Sequence, residues 1–199
     1  MRALERVRMV LVGTQHPRNI GSSARALKTM GFGVMHLVAP ERFPHPDASA
    51  LAAGADDLLE GARITASLAE AVAGCTLVLG TTATQRAVPM PELTPREAAA
   101  RLLAASRHGE VALVFGPERT GLENAELQLC HASVCIPTDP DFSSLNLSQA
   151  VQVLAYELRM AAMANAGVDA ARDPLDERPP ATHEEMERFF AHLDEALHD

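Results

Sequence analysis

Apolar and polar positions follow two alternating patterns along the chain. Short continuous runs of Val, Leu, Ile and Met, bounded by Gly, Pro or polar residues, predict buried strands. They fall at 7–13 (VRMVLVG), 34–40 (VMHLVAP), 76–82 (TLVLGTT), 111–116 (VALVFG) and 132–137 (ASVCIP). Between them, apolar residues recur at helical spacing. Ile20, Ala24, Leu27 and Gly31 form one stripe, with Asn19 or Gly21 as the cap and Gly31-Phe32-Gly33 as the stop. Residues 47–55 and 67–75 predict two short helices, the second closed by Gly74. Residues 94–109 predict a helix with Thr94 as cap, Pro95 at the first position and Glu97 completing a capping box. A short helix follows over 124–130. The longest, 145–167, buries Val151, Leu154, Ala155, Leu158 and Ala162.

This alternation predicts an α/β fold, a mainly parallel sheet with helices on both faces, spanning residues 1–166. Residues 167–182 (VDAARDPLDERPPAT follows Gly167) read as a polar, proline-bearing linker. Residues 183–199 hold an amphipathic helix with Met186, Phe189, Phe190, Leu193 and Leu197 along one side. A lone helix of this kind must bury that side, on the domain or on a partner.

Composition refines the picture. The chain is 47% apolar but 4% aromatic, so its core is aliphatic. No apolar run approaches the roughly 18 residues that span a bilayer, and the N-terminus lacks a signal-peptide pattern. The three cysteines, Cys75, Cys130 and Cys135, are odd in number and flanked by apolar residues, as reduced core thiols of a cytoplasmic protein would be. There is no Cys-x-x-Cys and the histidines are scattered, so no metal site is expected. The net charge of −9 argues against generic nucleic-acid binding. Its distribution is uneven, however. Residues 1–45 hold seven Lys/Arg against two Asp/Glu, and residues 168–199 hold three against ten. A local basic face, with Arg2, Arg6, Arg8 and Arg18, is compatible with an acidic total.

Ligands of parallel sheets bind beyond the carboxyl ends of the strands. Those ends read GTQHPRNIG, GTTATQR, GPERTG and PTDPDFSSLN, all rich in small, polar or charged residues. Neither Gly-x-Gly-x-x-Gly nor a P-loop occurs, which disfavours dinucleotides and nucleoside triphosphates. Arg25 lies off the buried stripe beside Ser22 and Thr29, and periodicity alone makes it a solvated arginine. In FGPERTGL (115–122), Glu118 and Arg119 stand between two glycines; an exposed ion pair in a turn explains them equally well. In IPTDPDFSSLNLSQAV (136–151), Ser143, Ser144 and Asn146 sit where a strand hands over to a helix. Ser144 serves equally as a helix cap.

Taken in order, NIGSSARA, LVFGPERTGL and CIPTDPDFSSLNLSQAVQV resemble the three signature motifs of the SpoU-TrmD (SPOUT) superfamily of RNA methyltransferases. The likeness, over residues 7–165, is to its tRNA 2′-O-ribose methyltransferases of the TrmJ kind. The resemblance implies a C-terminal trefoil knot, a homodimer and S-adenosyl-L-methionine as methyl donor. It implies a cofactor pocket of Thr81, Thr82, Ala83, Gly116, Ile136, Ser143, Ser144 and Leu145. It also implies that Arg25 is the catalytic group, as a transiently neutral base or as a stabiliser of developing negative charge. Asn19, Glu118, Ser144 and Asn146 would orient Arg25 and the substrate. The implied substrate is cytidine or uridine at nucleotide 32 of the tRNA anticodon loop. Ribosomal RNA is the alternative substrate, and a non-catalytic knotted RNA-binding dimer the alternative role. Relatives of this kind usually continue into a basic helical extension, whereas the tail here is acidic.

Overall fold

The computed structural model describes residues 4–83, 90–165 and 180–198. Its elements are β1 (Val7–Val12), α1 (Pro17–Met30), β2 (His36–Val38), α2 (Pro46–Ala52), α3 (Asp56–Glu60), β3 (Arg63–Thr65), α4 (Leu68–Val72), β4 (Cys75–Thr82), β5 (Glu92–Leu93), α5 (Pro95–Ala105), β6 (Glu110–Phe115), α6 (Asn124–Leu127), β7 (Ala132–Cys135), α7 (Leu147–Asn165) and α8 (His183–His198). The strands among the described residues form one seven-stranded sheet in the order β3-β2-β1-β6-β4-β7-β5. Every pairing is parallel.

Alternation along the central strands splits the core into two layers. Met9, Leu11, Val111, Leu113 and Phe115 face α1, α5 and α7, whereas Val10, Val12, Ala112 and Val114 face Leu68 and Val72 of α4 and Leu127 of α6. In β4 the alternation slips: Cys75 and Val78 share a face, because the register shifts between Cys75 and Leu77. The expected five strands are all present. Two more were missed, β3 and β5, of three and two residues at the sheet's edges. Both are too short for periodicity to register, and Ile64 of β3 points outward.

Helix α1 begins earlier than expected. Its N-cap is His16, with Pro17 at the first position, so neither Asn19 nor Gly21 caps it. Gly21 is instead a contact point. A Cβ there would come within 2.0 Å of the Ala48 carbonyl oxygen, so the α1–α2 crossing requires glycine. The stripe Ile20, Ala24 and Leu27 is fully buried, while Gly31 is an exposed left-handed C-cap with φ 89°. The capping box of α5 forms as expected, with Glu97 Oε2 accepting from Thr94 N at 2.8 Å. Helix α7 starts at Leu147 rather than 145. Asn146, not Ser144, caps it, its Oδ1 accepting from Ser148 N at 2.9 Å.

Of the strand-end segment GTTATQR (80–86), residues 84–86 lie outside the described residues; of the expected linker at 167–182, only 180–182 are described. Among the described residues, the bonds that hold helix α8 to the domain lie near its start. His183 is buried with its ring against His131, and Glu184 N donates to Ala73 O at 3.1 Å. The apolar side of α8, from Met186 to Leu197, is exposed, so the domain does not supply the expected cover. Cys75 is a buried core thiol, whereas Cys130 and Cys135 are only half-buried, in contrast to the expectation for all three. No helix among the described residues is long and apolar enough to cross a membrane.

Candidate active site

At the carboxyl ends of β4, β6 and β7 the chain opens a cleft of about 290 Å³. Thr81, Thr82 and Ala83 line it from the end of β4, the segment Gly116–Gly121 from the end of β6, and Ile136, Ser143, Ser144 and Leu145 from beyond β7. All eight expected pocket residues are therefore brought together, although they come from three separate stretches of sequence. Phe115, Val134, Leu147 and Ala150 add apolar wall. Arg119, Thr120 and Thr138 also line the cleft and were not anticipated individually, though all three lie inside the quoted motifs.

Glycine is obligatory where the cleft turns. A Cβ on Gly116 would lie 2.2 Å from Leu122 N and 2.4 Å from Gly121 C, both backbone atoms that no rotamer change can move aside. Gly121 holds φ at +64°, a left-handed conformation that closes the Pro117–Gly121 turn. Thr82 Oγ1, on the cleft wall, is buried without a hydrogen-bond partner among the described residues. A hydroxyl there can both donate and accept a hydrogen bond.

Glu118 does not pair with Arg119. Its carboxylate reaches the start of α1, where Oε2 accepts from Gln15 N at 2.9 Å and Oε1 accepts from His16 N at 3.2 Å and from Asn19 Nδ2 at 2.8 Å. The contact closes the positive end of the α1 dipole, which carries no capping side chain of its own. Asn19 passes the connection on: its Oδ1 accepts from Asn146 Nδ2 at 3.0 Å, and Asn146 Oδ1 in turn accepts from Ser148 N and from Ser148 Oγ at 2.7 Å. Glu118, Asn19 and Asn146, which the sequence could only name as separate candidates, are thus one hydrogen-bonded chain. The backbone amides of Gln15 and His16 carry no sequence signal, and only the fold identifies them as partners.

Burial alone would raise the Glu118 pKa. The donors from Gln15, Asn19 and His16 and its own backbone amide outweigh that, and hold the carboxyl below its ordinary 4.5. A depressed folded-state pKa contributes stability that is complete above the unfolded value and is lost as pH falls through the folded value. Glu118→Gln turns an amide toward three donors, so it is expected to destabilise the fold by about 1 kcal/mol at neutral pH. Thermal melts from pH 7 down to pH 3 should show wild type and variant converging below about pH 4.5. A gap that stays constant with pH would contradict an ionised Glu118.

Arg25 is not in this cleft. It stands exposed in a separate groove between α1 and α7, of about 620 Å³, with Ser22, Ala26, Thr29, Ser148, Gln149, Gln152 and Val153. Its guanidinium makes no hydrogen bond or ion pair with the described residues. Ser148 belongs both to this groove and to the hydrogen-bonded chain that starts at Glu118, so the cleft and the groove are physically linked. Along the outer side of α7 the groove continues into an exposed apolar stripe, Val153, Tyr156, Met160 and Met163.

Comparison with known proteins agrees with this architecture. Residues 6–156 match the SpoU rRNA Methylase family. The chain is 50% identical to the tRNA (cytidine/uridine/adenosine-2′-O-)-methyltransferase TrmJ of Pseudomonas aeruginosa, covering 98% of this chain and 79% of that one. It is 48% identical to the tRNA (cytidine/uridine-2′-O-)-methyltransferase TrmJ of Yersinia pestis, over 98% and 76% of the two chains. The crystal structure of TrmJ from Z. mobilis superposes with a TM-score of 0.82 at 39% identity, covering 96% of this chain and 79% of that one. With the family match spanning most of the sheet and the likeness extending over nearly the whole chain, this protein belongs to the SpoU methylase family.

Proposed function

We propose that this chain is an S-adenosyl-L-methionine-dependent tRNA 2′-O-ribose methyltransferase acting on cytidine or uridine at nucleotide 32 of the anticodon loop. It works in the cytoplasm as a homodimer. The observation that carries this reading is the hydrogen-bonded chain running from Glu118 in the cleft, through Asn19 and Asn146, to Ser148 in the Arg25 groove. The names of the TrmJ relatives support the substrate class.

The cleft fits the donor. S-adenosyl-L-methionine, when bound, supplies a methyl group on a positively charged sulfur. Ile136, Leu145 and Leu147 offer apolar surface for its adenosine, the turn at Gly116 allows close backbone approach, and Thr82 Oγ1 offers an unused hydrogen bond. Ser143 and Ser144 stand at the same wall. The ionised Glu118 holds Asn19, and Asn19 orients Asn146, so this polar chain is preorganised before substrate arrives. The acceptor 2′-hydroxyl must lose its proton as it attacks. A guanidinium is a poor base, so the role of Arg25 is electrostatic: it stabilises the charge that builds on the 2′-oxygen, while the 2′-proton passes to solvent or to a phosphate of the RNA.

Arg25 reaches a cleft across the dimer. The exposed stripe of α7 next to its groove supports an interface there, which would bring Arg25 of one protomer to the cleft of the other. The same reading includes a trefoil knot. Its support is that residues 143–145 meet both the 81–83 and the 116–121 segments across one cleft, after which α7 packs on α1 and α5.

The test is transfer of a tritiated methyl group to unmodified tRNA transcripts, with ribosomal RNA alongside because the matched family carries that name. A methylated ribose resists alkaline cleavage, so a gap in the hydrolysis ladder reads the position. Label on a tRNA ribose at nucleotide 32 is expected. Label on a base, or on ribosomal RNA alone, would overturn the proposal, and binding without transfer would mean a non-catalytic dimer.

A further inference from the structure

The most exposed large apolar side chain among the described residues is Phe142, at 82%. It is not on a loose tail. Phe142 N donates to Asp139 O at 3.1 Å, Asp141 N donates to Asp139 Oδ1 at 2.8 Å, and Thr138 Oγ1 donates to Ser143 O at 3.1 Å. These bonds close a turn whose two flanks, Thr138 and Ser143, both line the cleft. The molecule therefore holds an aromatic ring in water, on a hydrogen-bonded support, at the rim of its candidate active site.

Leaving such a ring exposed forgoes the stabilisation that burial would bring, so the fold gains nothing from it. We propose that Phe142 is a stacking platform for an unpaired base of the substrate RNA, at or next to the nucleotide whose ribose is methylated. This inference rests on the RNA methyltransferase reading above and deepens it. The surroundings select a base over the phosphate backbone. Asp139 and Asp141 precede Phe142 in the same turn, and their charge repels phosphates, whereas every base offers a π-face to an aromatic side chain. The acceptor ribose must come to the cleft, and its base or a neighbour's then lies at the rim. A backbone already held in its turn loses little freedom on binding, which favours Phe142 as an anchor.

The chain contains no tryptophan, so Phe142→Trp places a single indole reporter at the rim. Full-length unmodified tRNA transcript is the probe. Phe142→Ala is expected to raise KM for tRNA roughly tenfold, in line with the loss of one stacked base, with kcat and affinity for S-adenosyl-L-methionine unchanged. Phe142→Trp should keep the wild-type KM and change its emission when tRNA binds, and Phe142→Leu, apolar but without a π-face, should behave like the alanine variant. Abasic sites scanned through the acceptor loop should find one position that raises KM for wild type and adds nothing to Phe142→Ala. If wild type transfers no methyl to any RNA, the functional reading itself fails. If wild type is active but Phe142→Ala keeps its KM, or the indole emission ignores tRNA, the stacking platform is wrong while the enzyme assignment stands. A fall in mass by light scattering in Phe142→Ala would assign the ring to contact with a second copy, and would also overturn it.

Discussion

Arg25→Ala is expected to lower kcat for methyl transfer to tRNA by about 10²–10³, the usual cost of removing one preorganised group that stabilises transition-state charge. Cofactor affinity by calorimetry and the melting temperature should stay near wild type. The structure explains why the effect is confined to chemistry: Arg25 is exposed, off the buried stripe of α1, and makes no polar bond to the described residues of its own protomer through its side chain. Surface substitutions free of such partners usually shift stability by within about 0.5 kcal/mol. Full activity in this variant would remove the centre of the proposed mechanism.

Gly116→Ala is expected to abolish activity by a different route. The added methyl meets the backbone of Gly121 and Leu122 at 2.2–2.4 Å, so the 117–121 segment must move, and with it Glu118 and one wall of the cleft. Overpacking of this kind costs about 1–3 kcal/mol, a loss in melting temperature on the order of 5 °C for a chain of this size. Calorimetry should find cofactor binding weakened at least about tenfold, because the cleft is built on that segment. Unchanged binding would show that the turn tolerates a side chain and does not shape the site.

The two variants also test each other. If the proposed dimer and its cross-protomer site hold, the Gly116→Ala protomer of a mixed pair supplies Arg25 to the intact cleft of the Arg25→Ala protomer. Co-expression should then restore about a quarter of wild-type activity, since half of random dimers are mixed and each has one complete site. No recovery would place Arg25 in service of its own protomer.

Much of the fold was legible in the order of residues. Strands with four or more consecutive buried residues announce themselves, as β1 and β6 do, because a stretch covered on both faces reads as a continuous apolar run, here 9–12 and 111–115. The Thr94 capping box was readable because it is a contact between residues three apart. The start of α1 was misjudged for the complementary reason. The amides that lead into it, Gln15 N and His16 N, are held by Glu118, about a hundred residues away, a contact no local pattern shows. Gly31 was read both as part of the buried stripe and as part of the stop; only the second holds, since it is the exposed left-handed residue that ends the helix.

The motifs by themselves determined which residue types gather at one rim of a parallel sheet: small residues for tight turns, hydroxyls and amides for hydrogen bonds, and the Arg119 guanidinium. Tertiary structure alone decided the partnerships. Glu118 binds the head of α1 rather than its neighbour Arg119, Asn146 ties that contact to α7, and Arg25 faces away from the cleft beside it. The reason is that a chain's pattern of burial is periodic and local, whereas hydrogen bonds between loops depend on where distant strands end, and that is set only when the sheet has assembled.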